Sequence, residues 1–234
     1  MQPELQPVRT GNSIPAQDYA VQQHRVLRNT YWLLALSLIP TVIGAAIGTN
    51  LDLGFMRASP MLSFFAILAI FYGWIFAIER NRNSSLGVGL LLGFTLFMGL
   101  LLGPLLQSVL GLRNGIQLVM MAFGGTAAVF AVMAGIATTT KRNLSGMANF
   151  LTVGAVVIML AVVANVFFQN VTAYLVILAG FVLLSTLLML WQINAIVRGG
   201  ETNYVIATTG VYMSLFNIFA NLLNILLMLS GERD

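Results

Sequence analysis

The side chains able to do proton, metal or nucleophile chemistry are few, and none stands where such chemistry would need it. Seven carboxylates (Glu4, Asp18, Asp52, Glu79, Glu201, Glu232, Asp234), one histidine (His24) and no cysteine make up the reactive inventory of 234 residues. Without cysteine there is no disulfide, thiolate nucleophile or thiolate metal site. His24 has no second histidine or carboxylate at ligand spacing and reads as a solvated residue near a membrane interface. Ser37, Ser185 and Ser214 have no candidate base, so each is expected to hydrogen-bond its own helix backbone. No HExxH, Walker or dinucleotide motif occurs. No catalytic, cofactor-binding or metal-ligating residue is therefore expected, and the chain reads as a non-enzyme.

What chemistry remains is that of neutral amides and hydroxyls. Gly210, Ser214, Asn217, Asn221 and Asn224 recur at steps of four, three, four and three, which places them on one helical face. Lipid cannot solvate amides, so this face is expected to look into a bundle. Two readings stay open: interhelical hydrogen bonds that set register, or the lining of a hydrated path. Gln192 and Glu201 are the polar groups nearest one end of that stripe. The segment Gly199, Gly200, Glu201, Thr202, Asn203, Tyr204 reads as a helix stop, a turn and a new N-terminal cap.

The elements that must position these groups are apolar runs at about 31–49, 61–78, 86–106, 116–137, 148–168, 172–191 and 204–229. All 18 charged residues fall outside them. Each run is near the ~20 residues that span ~30 Å of hydrocarbon as a helix. A composition of 59% hydrophobic and 8% charged residues makes lipid the solvent. Because an unpaired backbone group is costly in lipid, runs of this length must be helices. The fold expected is an all-α integral membrane protein, a seven-transmembrane-helix bundle with the last helix central. Residues 1–28 read as a flexible N-terminal tail, with helix beginning towards Gln22–Arg28, and 29–234 as the membrane domain. The first run follows no basic-then-apolar leader and reads as a retained span. The connections are too short to hold an enzyme domain, and the fifth and sixth runs must form a tight hairpin. Gly89 with Gly93 and Gly99 with Gly103 make two GxxxG spacings, read as contacts within the bundle, as is Gly124-Gly125-Thr126. Pro40 and Pro104 are expected to kink or end their helices.

Charge sets an orientation. Arg9, Arg25, Arg28, Arg80, Arg82, Lys141, Arg142 and Arg198 fall on one side of the spans, and Arg57, Arg113 and Arg233 on the other. Basic residues collect in cytoplasmic loops, so the N-terminus is expected inside and the C-terminus periplasmic. No segment combines a basic patch with interleaved aromatics, which argues against nucleic acid as a partner.

Several segments together resemble a known family: residues 24–31 (HRVLRNTY), Leu102-Gly103-Pro104, residues 123–127 (FGGTA), Val163-Ala164-Asn165, residues 199–204 (GGETNY) and residues 214–219 (SLFNIF). In matching order from about His24 to Met228, they resemble the YccA-like branch of the transmembrane Bax inhibitor motif family. That resemblance implies seven helices with the last enclosed by the other six. It further implies a bacterial inner-membrane protein that is a slow substrate and modulator of the ATP-dependent protease FtsH. The cytoplasmic tail, with His24, Arg25 and Arg28 at its end, would be the protease contact. Other members of the family leak calcium in a pH-dependent way through paired aspartates on the last two helices. Gln192 and Ser214 align with those sensor positions here, so the alternative, a pH-sensitive cation leak, departs from the family pattern. Lipid is the remaining partner expected, and oligomeric state is left open.

Overall fold

A computed structural model of the chain describes residues 16–51 and 59–231. Among them run seven α-helices and no strand: α1 (Ala16–Gly48), α2 (Pro60–Arg80), α3 (Ser85–Leu110), α4 (Gly115–Thr139), α5 (Met147–Phe168), α6 (Val171–Val197) and α7 (Tyr204–Gly231). All seven are long and apolar enough to cross a membrane. Each expected span lies within one of them, give or take an end residue.

The strongest departure from expectation is at the beginning. Residues 16–28 are helical rather than flexible tail, and residues 1–15 lie outside the described residues. The cause is a buried stripe at helical spacing, Val26, Thr30, Leu33, Leu34 and Ser37, that carries α1's packing past the apolar run. With 33 residues α1 is ~50 Å long, some 20 Å more than hydrocarbon requires. His24, Arg25 and Arg28 are exposed on this extension. At the far end of the sixth run, α6 likewise continues beyond Trp191 to Val197.

Packing starts from a seam of glycines. Between helices in lipid there is little hydrophobic drive, so close backbone approach and dispersion must supply adhesion. A Cβ added at Gly44 would overlap the Leu96 carbonyl oxygen, and one at Gly99 the Thr41 carbonyl oxygen; Gly48 and Gly103 face one another with no room for either side chain. α1 and α3 therefore lie backbone to backbone, through a GxxxG pair on each helix. The Gly44/Gly48 half of this seam was not anticipated from the spacing of glycines in α1. Of the other expected pair, Gly93 makes room for the Trp74 ring of α2 and Gly89 meets nothing within 4 Å. Gly124 is also open, while Gly125 meets Leu222 at an ordinary 3.5 Å. Pro104 does not end α3, which runs on to Leu110.

α7 packs against α1, α2, α3, α4 and α6. Among the described residues the backbone of α5 comes close to that of α6 and of no other helix, so five of the six other helices approach α7 closely. Leu151 is the one fully buried residue of α5; Ile158 packs against Gly180 of α6, and Val153, Val156, Val157, Met159 and Leu160 are exposed. The α5–α6 hairpin is as tight as expected. Gln169 takes a left-handed conformation (φ 49°), and the Asn170 side chain caps α6 by accepting from Ala173 N at 2.8 Å.

Because a Cβ at Gly99 must collide with backbone, Gly99→Ala is expected to lower the unfolding midpoint in mild detergent, at a cost of about 1–3 kcal/mol or more. Gly89→Ala is expected to leave it unchanged. A melting comparison of the two variants in one detergent checks this, and equal effects would remove the seam from the account.

Candidate functional site

At the basic end of the bundle the chain changes direction three times, and amide side chains tie these turns together. α6 stops where Gly199 adopts φ 74°, a left-handed conformation that glycine takes at no steric cost. Gly200 N and Glu201 N then both donate to Ala195 O, at 2.8 and 3.2 Å. Asn203 starts α7: its Oδ1 accepts from Val205 N (3.0 Å) and Ile206 N (3.2 Å), satisfying two free amides of the first turn. The Nδ2 of Asn203 reaches across to Arg82 O (3.0 Å) and Asn83 Oδ1 (2.8 Å), tying this loop to the α2–α3 connection. Glu201 accepts from Asn203 N at 2.7 Å. Its carboxylate is thus engaged in shaping the loop, and Tyr204 opens the helix as expected.

A second tether was not foreseen. Asn194, 1% exposed on α6, accepts from Leu144 N at 3.1 Å and donates to Arg142 O at 3.4 Å. Arg198 donates to Thr140 O at 3.0 Å. The α4–α5 connection is thereby fastened to the end of α6.

Further into the membrane, Gln192 and Ser214 meet. Ser214 Oγ donates to Gln192 Oε1 at 3.0 Å, and Gly210 lies against the same amide, where a Cβ would come within 3.1 Å of Nε2. The two positions aligned with a sensor pair are thus adjacent across α6 and α7. Neither group titrates near neutral pH. Two carboxylates at this separation would share a proton and respond to pH; an amide and a hydroxyl cannot.

The amide stripe divides below that pair. Ser214 is buried, but Asn217 is exposed and Asn221 and Asn224 are half-buried. Asn221 Nδ2 donates to Asn217 O (2.7 Å) and Asn224 Nδ2 to Ala220 O (3.1 Å). The five residues were expected to face the bundle interior, either bonding between helices or lining a hydrated path; Ser214 does bond between helices, whereas the Nδ2 groups of Asn221 and Asn224 do not. These amides satisfy themselves by folding onto carbonyls of their own helix, which needs no neighbouring helix. Ser37 does the same, donating to Leu34 O at 2.8 Å.

A further buried polar contact that joins helices in mid-membrane is made by Tyr212, which sequence reasoning passed over. At 1% exposure its hydroxyl lies 2.8 Å from Thr41 Oγ1 on α1 and 3.4 Å from Thr95 O on α3. Thr41 gives its own proton to Ser37 O (2.8 Å), so Tyr212 is the donor to Thr41. Phe94 packs edge-on against the Tyr212 ring, centroids 6.2 Å apart. A tyrosine within an otherwise apolar run was the available signal, but its partner on α1 lies 171 residues away. By contrast, Thr30 Oγ1 and Tyr31 Oη are buried without a hydrogen-bond partner.

Among the described residues no three His, Cys, Asp or Glu gather as a metal site. Nor does any serine meet a base there.

Seven apolar helices and this polar wiring define a multi-pass α-helical membrane protein. The sequence family described as "Inhibitor of apoptosis-promoting Bax1" matches residues 23–231. The chain is 45% identical over 216 residues to an uncharacterized protein of Neisseria meningitidis, covering 92% of this chain and 95% of that one. It is 40% identical over 203 residues to the "Modulator of FtsH protease YccA" of Escherichia coli K12, covering 87% and 90%. An uncharacterized membrane protein of Vibrio cholerae is 34% identical over 206 residues, 88% of this chain and 90% of that one. The protein belongs to the Bax inhibitor family.

Tyr212→Phe removes the shorter of two hydroxyl contacts between α7 and α1, the other being Thr208 Oγ1 to Thr30 O at 3.4 Å, and is expected to cost about 1 kcal/mol of unfolding free energy in detergent. Tyr31→Phe removes a hydroxyl with no partner and is expected to cost nothing or to stabilise. Unfolding of the two variants side by side reads the difference, and the reverse ranking would refute these assignments.

Proposed function

We propose that this chain is a non-enzymatic modulator, and slow substrate, of the membrane protease FtsH. The observation that carries the reading is the 40% identity, over 87% of the chain, to a protein named as a modulator of that protease. Two features of the chain support it. The polar groups within its spans are engaged in capping, back-bonding and helix joining, which suits a scaffold. The neutral Gln192–Ser214 pair lacks the titratable carboxyls that a pH-gated cation leak would use.

In this reading the protein sits in the bacterial inner membrane with its basic end in the cytoplasm. A relative from another Escherichia coli strain, 40% identical over 203 residues, is named an inner membrane protein. The contact with the protease is made by residues 1–15 together with the exposed face of the α1 extension, where His24, Arg25 and Arg28 stand. Placing those three on a helix changes their part. They form a docking face, and the segment ahead of Ala16 is where the protease takes hold.

Affinity purification of the full chain from native membranes in mild detergent is expected to bring down FtsH. Deleting residues 1–15 is expected to lengthen the chain's lifetime severalfold, and Arg25→Glu with Arg28→Glu to weaken co-purification. If FtsH is absent from the eluate and neither change matters, the proposal fails. A cysteine-free chain also lends itself to a test of orientation. In intact spheroplasts a membrane-impermeant thiol reagent is expected to label Arg113→Cys and to spare Asn143→Cys, the opposite pattern being inconsistent with the topology.

A further inference from the structure

We propose that the crevice between α1 and α4, at the basic end of the bundle, binds the headgroup of an anionic phospholipid. α1 and α4 have no backbone contact with each other among the described residues. They meet through the rings of Tyr31 and Phe130, edge to face with centroids 5.8 Å apart. On α1, Gln23, Leu27 and Tyr31 share a face at steps of four; on α4, Phe130, Ala134 and Thr138 do the same. The ring contact joins these two rows, and Gln23 and Thr138 at their ends line a cavity.

This open cavity, at the mouth of the crevice, has a volume of about 490 Å³ and is lined by Gln23, Thr138, Thr140, Lys141, Val197 and Arg198. That volume is in the range of small-molecule sites. Two of these residues are cations and none is an acid. The ion pair among the described residues, Arg82 with Glu79, involves neither cation. Among the described residues Arg198 commits one N–H to Thr140 O and makes no other side-chain hydrogen bond, and Lys141 makes none. Cations at the ends of α4 and α6 also complement the helix dipoles. That accounts for a positive charge there, but not for a cavity that gathers two of them with an amide and a hydroxyl. Thr138 spends its own proton on Ala134 O, so the available donors are Lys141, Arg198, the Gln23 amide and Thr140. Phosphate is the group such a set would take.

The walls favour a lipid over a free anion. Below the polar mouth, Leu27, Phe130 and Ala134 are half-buried apolar side chains packed on the core. The site grades from charged to apolar along its depth, as an amphiphile does. It also sits at the interface level of α1, where Trp32 is 73% exposed, in the manner of a membrane-surface anchor.

The test uses the purified full chain in mild detergent, with lipid adducts counted by native mass spectrometry and thermal midpoints read in parallel. Short-chain phosphatidylglycerol is expected to bind and stabilise, and phosphatidylcholine and inorganic phosphate to do neither. Lys141→Gln is expected to weaken phosphatidylglycerol binding about fivefold, and adding Arg198→Gln to weaken it about fivefold again. Since Lys141 holds no structural bond, its variant reports binding even if the Arg198 change disturbs the loop. Arg25→Gln with Arg80→Gln, two cations at the same end outside the cavity, is expected to leave binding unchanged. Equal loss in that control, equal binding of phosphatidylcholine, or equal stabilisation by inorganic phosphate would each overturn the proposal.

Discussion

Lipid offers no hydrogen bonds, and that constraint shapes every polar residue of this protein. Backbone groups are satisfied within each helix, so what remains to be settled is the side chains and the helix ends. At the basic end, Asn203 and Asn194 take up that task. Each binds the backbone of a connection it does not belong to, and together they fasten the α2–α3 and α4–α5 connections to the ends of α6 and α7. In mid-membrane, Tyr212 of α7 donates its hydroxyl proton to Thr41 of α1 and packs its ring against Phe94 of α3. At Asn221 and Asn224 the amide turns back on a carbonyl of its own helix.

The same constraint connects architecture to function. A carboxylate in a span needs a partner or water, and a pair of them makes a proton-sensitive site. Here the two facing positions carry Gln192 and Ser214, which bond each other as neutral groups and leave nothing to titrate. The chain's charges are moved to the ends, chiefly to one of them. There they flank an exposed helical extension and a cavity with two unpaired cations, the places where a soluble protease domain and a lipid headgroup would meet the protein.

Much of the fold was legible beforehand because in lipid a single rule, length of apolar run, decides each element. The GGETN turn was legible for a similar reason: the left-handed Gly199 and the capping bonds of Asn203 Oδ1 to Val205 and Ile206 are local, although the reach of Asn203 Nδ2 to Arg82 and Asn83 is not. The Gln192–Ser214 contact was reached through family resemblance, and the structure brings those residues together. Three features resisted. The helical start at Ala16 depends on Val26 packing into a core assembled from distant segments. Half of the α1–α3 seam hides in Gly44 and Gly48, whose importance appears once Leu96 and Leu100 are known to lie opposite. The Asn stripe misled because periodicity shows which residues share a face, but not whether another helix covers it. Asn217 proves exposed, while Ser214 on the stripe and Tyr212 off it make interhelical bonds.

Cation flux measured with the purified chain in sealed liposomes tests most directly whether its intramembrane polar groups serve structure alone. With Gln192 and Ser214 locked as a neutral pair, flux is expected to stay at the level of empty vesicles at both acidic and neutral pH. A flux that rises on acidification and is abolished by Ser214→Ala would contradict the account.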